Sequence, residues 1–145
     1  MKIRTKYHGE IEIKNEEIWL FNNGIPGFPA EKEFILLPLP DNDVFTILQS
    51  VKTAEIAFVI TDPFSFFQNY EFSIDDQTLE QLKLQNEEDV QVSVILTVQD
   101  PFEKTTANLQ APVIFNVNNK EAKQMILNDK QYTTKQSLFG PSGVK

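Results

Sequence analysis

Side chains that build catalytic and metal sites are scarce or scattered in this sequence. The chain has one histidine, His8, which stands beside Gly9 in a predicted turn, and it has no cysteine. Disulfides, thiolate catalysis and cysteine-based zinc sites are therefore excluded. There is no glycine-rich phosphate-binding loop and no pair of histidines at metal-ligand spacing. We expect no cofactor and no metal.

Carboxylates are plentiful, but they fall in predicted turns. They include Asp41 with Asp43, Asp75 with Asp76, and the run Glu87, Glu88 and Asp89. Glycoside hydrolysis needs two carboxyl groups that flank a cleft at a set separation, and the sequence alone leaves that alternative open. Acidic residues in turns are, however, usually exposed to solvent. We therefore predict a binding protein and not an enzyme.

The net charge limits the partners that the chain can bind. The chain carries 21 acidic and 13 basic residues, a formal net charge of −8, and its sequence pI is about 4.6. Because phosphate binding relies on Lys and Arg to neutralise the backbone, we expect no direct binding to nucleic acid. An acidic surface favours a basic protein partner, or it serves solubility alone.

No segment of the sequence is typical of a membrane span or a signal peptide. No apolar run reaches the ~20 residues that cross a bilayer, and Met1–Tyr7 lacks an apolar core. The absence of cysteine suits a reducing compartment. We expect a cytoplasmic protein without membrane binding.

Short runs of alternating apolar and polar residues predict an all-β fold with one short helix. Val90–Val98 is the clearest strand, with five apolar residues on one face. The helix follows Ser73 or Asp75, either of which can cap it, and we expect it to end near Asn86. About nine or ten strands with short connections indicate a small antiparallel β-barrel or barrel-like sandwich.

The pattern weakens towards the C-terminus. Lys123–Asn128 is the last predicted strand, and periodicity is lost beyond Tyr132. We therefore predict a single β domain at residues 1–131 and a loosely ordered tail at residues 132–145.

Aromatic residues concentrate in one segment. The chain has 12 phenylalanines, and the segment Phe64–Phe72 holds five rings. They are Phe64, Phe66, Phe67, Tyr70 and Phe72. If exposed, such a patch marks a protein interface. Alternatively, the segment folds over the mouth of the barrel with its rings inside.

Two consecutive turns fix the direction of two apolar side chains. Asn23-Gly24 favours a turn with positive φ, and Pro26-Gly27 suits a type II turn. Ile25 and Phe28 are therefore held rigidly. The loop either presents an apolar surface or plugs one end of the barrel.

The stretch Thr105–Asn116, which we call the closing segment, changes from polar to strand-like sequence around Pro112. Because proline has no N–H for a neighbouring strand, Pro112 indicates a sheet edge, a strand start or a bulge. The closing segment therefore either closes the barrel or offers an edge to a partner.

Several blocks together resemble the FliW family of bacterial flagellar assembly factors, in family order across almost the whole chain. The matching blocks are Gly24-Ile25-Pro26-Gly27-Phe28, Leu48-Gln49-Ser50, Asp62-Pro63-Phe64 with Phe66-Phe67 and Tyr70-Glu71, Thr106-Ala107-Asn108-Leu109 through Ala111-Pro112 to Asn116, and Lys123-Gln124. Each block is weak alone, and jointly they are specific.

The resemblance implies a partner-switching protein. FliW proteins bind CsrA, a dimeric RNA-binding repressor, and relieve its repression of flagellin mRNA. They also bind flagellin, which displaces CsrA when it accumulates. The alternatives are a chaperone for flagellin alone and, from another class, a small-ligand-binding or hydrolytic barrel.

The resemblance places no contact by motif, so candidate residues come from the patterns above. The partner-binding candidates are Phe28, Phe64, Phe66, Phe67, Tyr70, Glu71, Asn108, Leu109 and Pro112. Acidic residues in turns can steer a basic partner and oppose RNA phosphates near it. These steering candidates are Asp41, Asp43, Glu87, Glu88 and Asp89.

Overall fold

The computed structural model describes residues 1–39 and 42–139, without the side chains of residues 42 and 43. Within these residues the chain forms eleven strands and one α-helix. They are β1 (Lys2–Arg4), β2 (Glu10–Glu12), β3 (Trp19–Leu20), β4 (Glu33–Leu39), β5 (Asn42–Ser50), β6 (Ala57–Thr61), α1 (Asp76–Leu82), β7 (Val90–Thr97), β8 (Thr106–Ala107), β9 (Val113–Asn116), β10 (Glu121–Gln124) and β11 (Gln136–Ser137).

Nine of these strands form one sheet that closes on itself. Its order is β11-β8-β7-β6-β5-β4-β3-β10-β9, and β9 pairs back to β7. A barrel results, with β8 and β11 as an extension beside the second half of β7. The pairings are antiparallel except the single β10–β3 contact, which is parallel. The predicted all-β, barrel-like fold is confirmed.

Aromatic side chains fill the barrel interior. The rings of Trp19 and Phe21 meet Phe115 edge-on at 5.0 and 6.2 Å between centroids, and Phe34 lies 5.1 Å from Phe21. Every strand of the closed ring supplies at least one side chain to this cluster. A phenylalanine-rich interior packed in this way argues against the alternative of a ligand-binding or hydrolytic barrel.

Two further layers cover the outer face of the sheet. The β1–β2 hairpin packs Ile3 and Ile13 against Ile35 of β4. On the opposite side, the segments around α1 and after β10 cover β7 and β9, and this second layer includes Tyr70 and Leu82. The alternation of β7 therefore serves two cores, because one set of its side chains points into the barrel and the other into the outer layer.

Helix α1 is shorter than the sequence predicts. Asp75 caps it by accepting a hydrogen bond from the Thr78 N–H at 2.7 Å, as predicted. The helix ends at Leu82 and not near Asn86, because Lys83 adopts the left-handed conformation with φ of 55°. Asn116 then donates to the Leu82 carbonyl at 2.7 Å, which fastens the helix end to β9.

A buried amide joins the hairpin to the barrel. Gln49 is fully buried, and its Oε1 accepts from the Lys6 N–H at 3.0 Å while its Nε2 donates to the carbonyls of Ser50 and Ala54. The neighbouring Ser50 hydroxyl donates to the Glu31 carboxylate. A buried amide that is satisfied on both sides fixes one packing arrangement.

The last strands differ from the sequence-based boundaries. β10 covers Glu121–Gln124 and not Lys123–Asn128, and β11 follows within the predicted tail. Leu138 is 3% exposed and Tyr132 packs on the outer layer. The predicted boundary after residue 131 and the loose order beyond it stay predictions, and residues 140–145 lie outside the described part of the chain.

Replacing Phe115 by alanine should destabilise the barrel by about 3–5 kcal/mol, because the change removes a 1% exposed ring from the interior. Urea denaturation measures the free energy of unfolding. Val117→Ala is the matched control, since Val117 follows the same strand but is 37% exposed. A similar loss for both variants would contradict the interior packing.

Candidate partner-binding surface

The aromatic segment Phe64–Phe72 leaves β6 through a rigid turn. Asp62 accepts a hydrogen bond from the Phe64 N–H at 2.9 Å, and the Pro63 carbonyl accepts from the N–H groups of Phe66 and Phe67. Proline suits the first position of such a turn because its φ is already fixed. Asp-Pro-Phe therefore sets the direction in which the rings leave the sheet.

Tyr70 anchors this segment to the closing segment. It is 4% exposed, its hydroxyl donates to the Leu109 carbonyl at 2.7 Å, and its ring meets Tyr132 edge-on at 4.8 Å. Burial, followed by the nearby Tyr132 hydroxyl, raises the pKa of Tyr70. The Glu71 N–H and carbonyl both bind the Tyr132 hydroxyl at 3.0 Å. Tyr70 is thus a structural anchor.

The other rings divide between the layer and the surface. Phe66 stacks on Phe45 at 5.9 Å and is half-buried, as is Phe67. Phe64 is 45% exposed and lies at the surface, 5.8 Å from Tyr70. Both interpretations of the aromatic segment therefore hold in part: it covers the sheet, and it leaves one ring open to solvent.

The closing segment lies along β7. Its first part, β8, pairs with the second half of β7, and its last part, β9, pairs with the first half. Between them, Asn108 Oδ1 accepts from the N–H groups of Gln110 and Ala111, each at 3.1 Å. Leu109 and Pro112 are buried. The segment closes the barrel, and its two apolar candidates do not present their side chains to solvent.

Phe28 lies at the other end of β6 from Phe64. Its ring is 39% exposed and meets Phe58 at 5.7 Å, whereas Ile25 is 2% exposed and enters the barrel core. Gly24 makes this possible, because it has φ of +69° and a Cβ there would lie 2.6 Å from the Pro29 carbonyl oxygen. The loop therefore fills the barrel end with Ile25 and presents Phe28 to solvent.

The acidic candidates are only partly within the described structure. Asp41 lies outside it, and the side chain of Asp43 is not described. Glu87 and Glu88 are exposed and Asp89 is half-buried in a 3-10 turn that leads directly into β7. Exposed Asp62 lies at the end of β6, so one end of the barrel combines negative charge with the exposed ring of Phe64.

Two surface grooves meet at this end of the barrel, and sequence reasoning identified neither. The first, of about 440 Å³, lies between β5 and β7 beyond the end of β6, and we call it the β7 groove. The second, of about 510 Å³, lies beside α1 between Phe72 and Leu84. Val90 borders both. The sequence feature that could have predicted the β7 groove is the difference in length between the short strand β6 and the long strand β7.

The described side chains form no metal-binding cluster, and the described helix is not a membrane span. No group of three or more His, Asp or Glu side chains in residues 1–39 and 42–139 is placed to hold a metal ion. No helix in the same part of the chain has the length and apolar character needed to cross a bilayer.

Comparison with known proteins decides the family. The model of the family described as FliW protein matches residues 2–138. The chain belongs to the FliW family. It is 56% identical over 139 residues to the flagellar assembly factor FliW of Geobacillus thermodenitrificans, covering 96% of each chain, and 52% identical over 142 residues to that of Bacillus subtilis, covering 98% and 99%.

A solved structure supports the same assignment. A crystal structure of the flagellar assembly factor FliW matches with a TM-score of 0.91 and 54% identity, covering 95% of this chain and 96% of that one. The sequence-based resemblance to FliW is therefore confirmed. As a member of a family of flagellar assembly factors, the chain is not an enzyme, as the sequence predicts.

Replacing Tyr70 by phenylalanine should cost about 1–2 kcal/mol of stability, because the Leu109 carbonyl then loses its buried hydrogen bond. Thermal and urea unfolding measure the change. Tyr7→Phe, at a tyrosine that is 48% exposed, is the control and should leave stability unchanged. Equal effects in both variants would show that the Tyr70 hydroxyl does not anchor the segment.

Proposed function

We propose that this FliW-family protein binds the translational regulator CsrA in the cytoplasm and relieves its repression of flagellin mRNA. It also binds flagellin, so that accumulated flagellin displaces CsrA and lowers further synthesis. The observation that carries the proposal is membership, over residues 2–138, of a family of flagellar assembly factors. No catalysis is involved.

The charge distribution supports a basic RNA-binding partner. The net charge is −8, and Glu87, Glu88 and Asp62 are exposed together at one end of the barrel. Opposite charge accelerates encounter through electrostatic steering. A bound acidic protein also repels RNA phosphates nearby, so inhibition does not require that it occupy the RNA site.

Reconstitution with purified components tests the proposal. The chain, CsrA and flagellin are mixed pairwise and together, and complexes are separated by size-exclusion chromatography. We expect a complex with CsrA, release of flagellin mRNA leader from CsrA, and displacement of CsrA by flagellin. Binding to flagellin without binding to CsrA would favour a flagellin chaperone, and binding to neither would overturn the proposal.

Neutralising the acidic turn should slow association with CsrA. In the variant E87Q/E88Q the net charge changes from −8 to −6. We expect the association rate at low salt to drop several-fold, with little change at high salt. Stopped-flow or biosensor kinetics measure the rates.

The control variant E10Q/E55Q also has a net charge of −6, but its two exposed carboxylates lie elsewhere on the surface. If both variants slow association equally, net charge and not the acidic turn steers CsrA.

Phe28 and Phe64, two exposed phenylalanines at opposite ends of β6, test which end of the barrel docks. We expect Phe64→Ala to weaken CsrA binding by about 2 kcal/mol, as truncation of an interface anchor does. Phe28→Ala should leave binding unchanged, because Phe28 lies at the other end of β6 from Asp62 and the Glu87–Asp89 turn. Calorimetric titration measures both affinities, and melting curves confirm that each variant folds. The reverse order of effects would place the interface at the Gly24–Phe28 loop.

A further inference from the structure

Among residues 1–39 and 42–139, no strand covers the β6 side of the first half of β7. β6 pairs with β7 only as far as Thr61, which stands opposite Val94. β7 itself extends back to Val90, and its residues Val90–Ser93 pair with β9 on the other side alone. Within the described chain, the β6 side of this half of β7 borders the β7 groove.

The direction of the backbone groups follows from the alternation of an antiparallel ladder. The Asp89 carbonyl accepts from Val117 N–H at 3.0 Å, and the Ile95 carbonyl accepts from Asn108 N–H at 2.9 Å, so odd-numbered residues bond towards β9 and β8. Even-numbered residues then bond towards β6. Val92 N–H and C=O therefore point into the groove, where no described residue pairs with them.

The chain cannot complete β6 with its own residues. Continuing the register beyond Thr61 and Val94 would place Pro63 opposite Val92. Proline has no N–H to donate to the Val92 carbonyl. Asp62 instead caps the turn that carries Phe64 away from the sheet. The dipeptide Asp62-Pro63 therefore ends β6 before the strand reaches the first half of β7.

The lining of the groove defines what fits it. Val44 and Phe64 are 51% and 45% exposed, which gives two apolar contacts beside the free edge. Asp62 is the charged residue of its described lining, which contains no Lys or Arg. Glu87 and Glu88 stand just before Val90, and we call Asp62, Glu87 and Glu88 the acidic rim.

We propose that the β7 groove binds an extended segment of a partner protein in which apolar and basic residues alternate. The segment adds as a strand in the line of β6, exchanging backbone hydrogen bonds with Val92 and placing apolar side chains on Val44 and Phe64. Its basic side chains meet the acidic rim. This inference rests on the proposed function in so far as the chain is a partner-binding protein, and it names the chemistry of the bound segment.

Residue-resolved hydrogen exchange tests the free edge directly. In the protein alone, the Val92 amide should exchange faster than those of Gln91 and Ser93, which bond to β9. The probe is a short end-capped peptide of alternating valine and lysine, and adding it should slow exchange at Val92 and shift the signals of Val44 and Phe64. Absence of any effect at Val92 overturns the proposal.

Two altered peptides separate backbone pairing from simple charge attraction. The same peptide with every backbone amide N-methylated cannot donate to β7, and one with glutamate in place of lysine is repelled by the rim. Both should fail to protect Val92. If the N-methylated peptide binds as well as the parent, the segment does not add as a strand, and the inference is wrong.

A pair of valine variants maps the site on the protein. Val44→Lys puts a positive charge and a polar chain where the bound segment docks, and it should weaken peptide binding about tenfold, a change of about 1.4 kcal/mol. Val98→Lys is the matched control, since Val98 is 49% exposed but lies beyond the far end of β7. Melting curves verify that both variants fold.

The same variants keep this inference distinguishable from the proposed function. If wild-type protein and Val44→Lys bind CsrA equally and the peptide fails to bind, the groove proposal is overturned while CsrA binding stands. If the peptide binds at Val92 but CsrA does not bind the wild-type protein, the groove stands and the proposed function fails.

Discussion

The structure depends on the double pairing of one strand. β7 bonds to β6 on one side and to β8 and β9 on the other, and only this arrangement closes the barrel. Closure requires the closing segment to leave β7, bend around the Asn108 side chain and return to β7 as β9, which begins directly after Pro112. Pro112 thus stands at a strand start, one of the positions that tolerate a residue without an N–H.

The outer layer follows from the same constraint. Because β7 is covered on both faces, its alternate side chains need a second core outside the barrel, and the segment between β6 and β7 supplies it. Tyr70 joins that layer to the bend through the Leu109 carbonyl. The one exposed ring of the segment Phe64–Phe72 is Phe64, which stands in the turn directly after β6 at the margin of the packed rings, 5.8 Å from Tyr70. Tyr70 thus anchors the segment, and Phe64, six residues earlier in the chain, presents its ring to solvent.

Local signals predicted much of the fold. The alternation of Val90–Val98 and the Asp75 cap appear as expected, since both depend on adjacent residues. The end of α1 was missed because Lys83 takes a conformation that usually signals glycine. The last strand was misplaced because Met125 and Leu127 stay extended, donating to the carbonyls of Pro112 and Gln110, although the regular ladder ends at Gln124.

The candidate surface was harder to predict. Tyr70 and Leu109 are 39 residues apart, so no local pattern could show that one anchors the other. The groove was missed because it results from the difference in length between two strands and from Pro63, and a pattern search reads each strand separately. Residues such as Phe64 were identified by type, but their exposure depends on packing that only the folded chain reveals.

The short β6 also bears on how many chains its unpaired neighbour can pair with. An unpaired strand edge at the margin of an open sheet lets identical chains stack without limit. Here the unpaired length lies between β5 and β7 of the same barrel, so the gap accommodates a single strand and then has no edge left. A gap between two strands of one barrel can therefore pair with one extended segment. The added strand has no free edge to which a further chain could add.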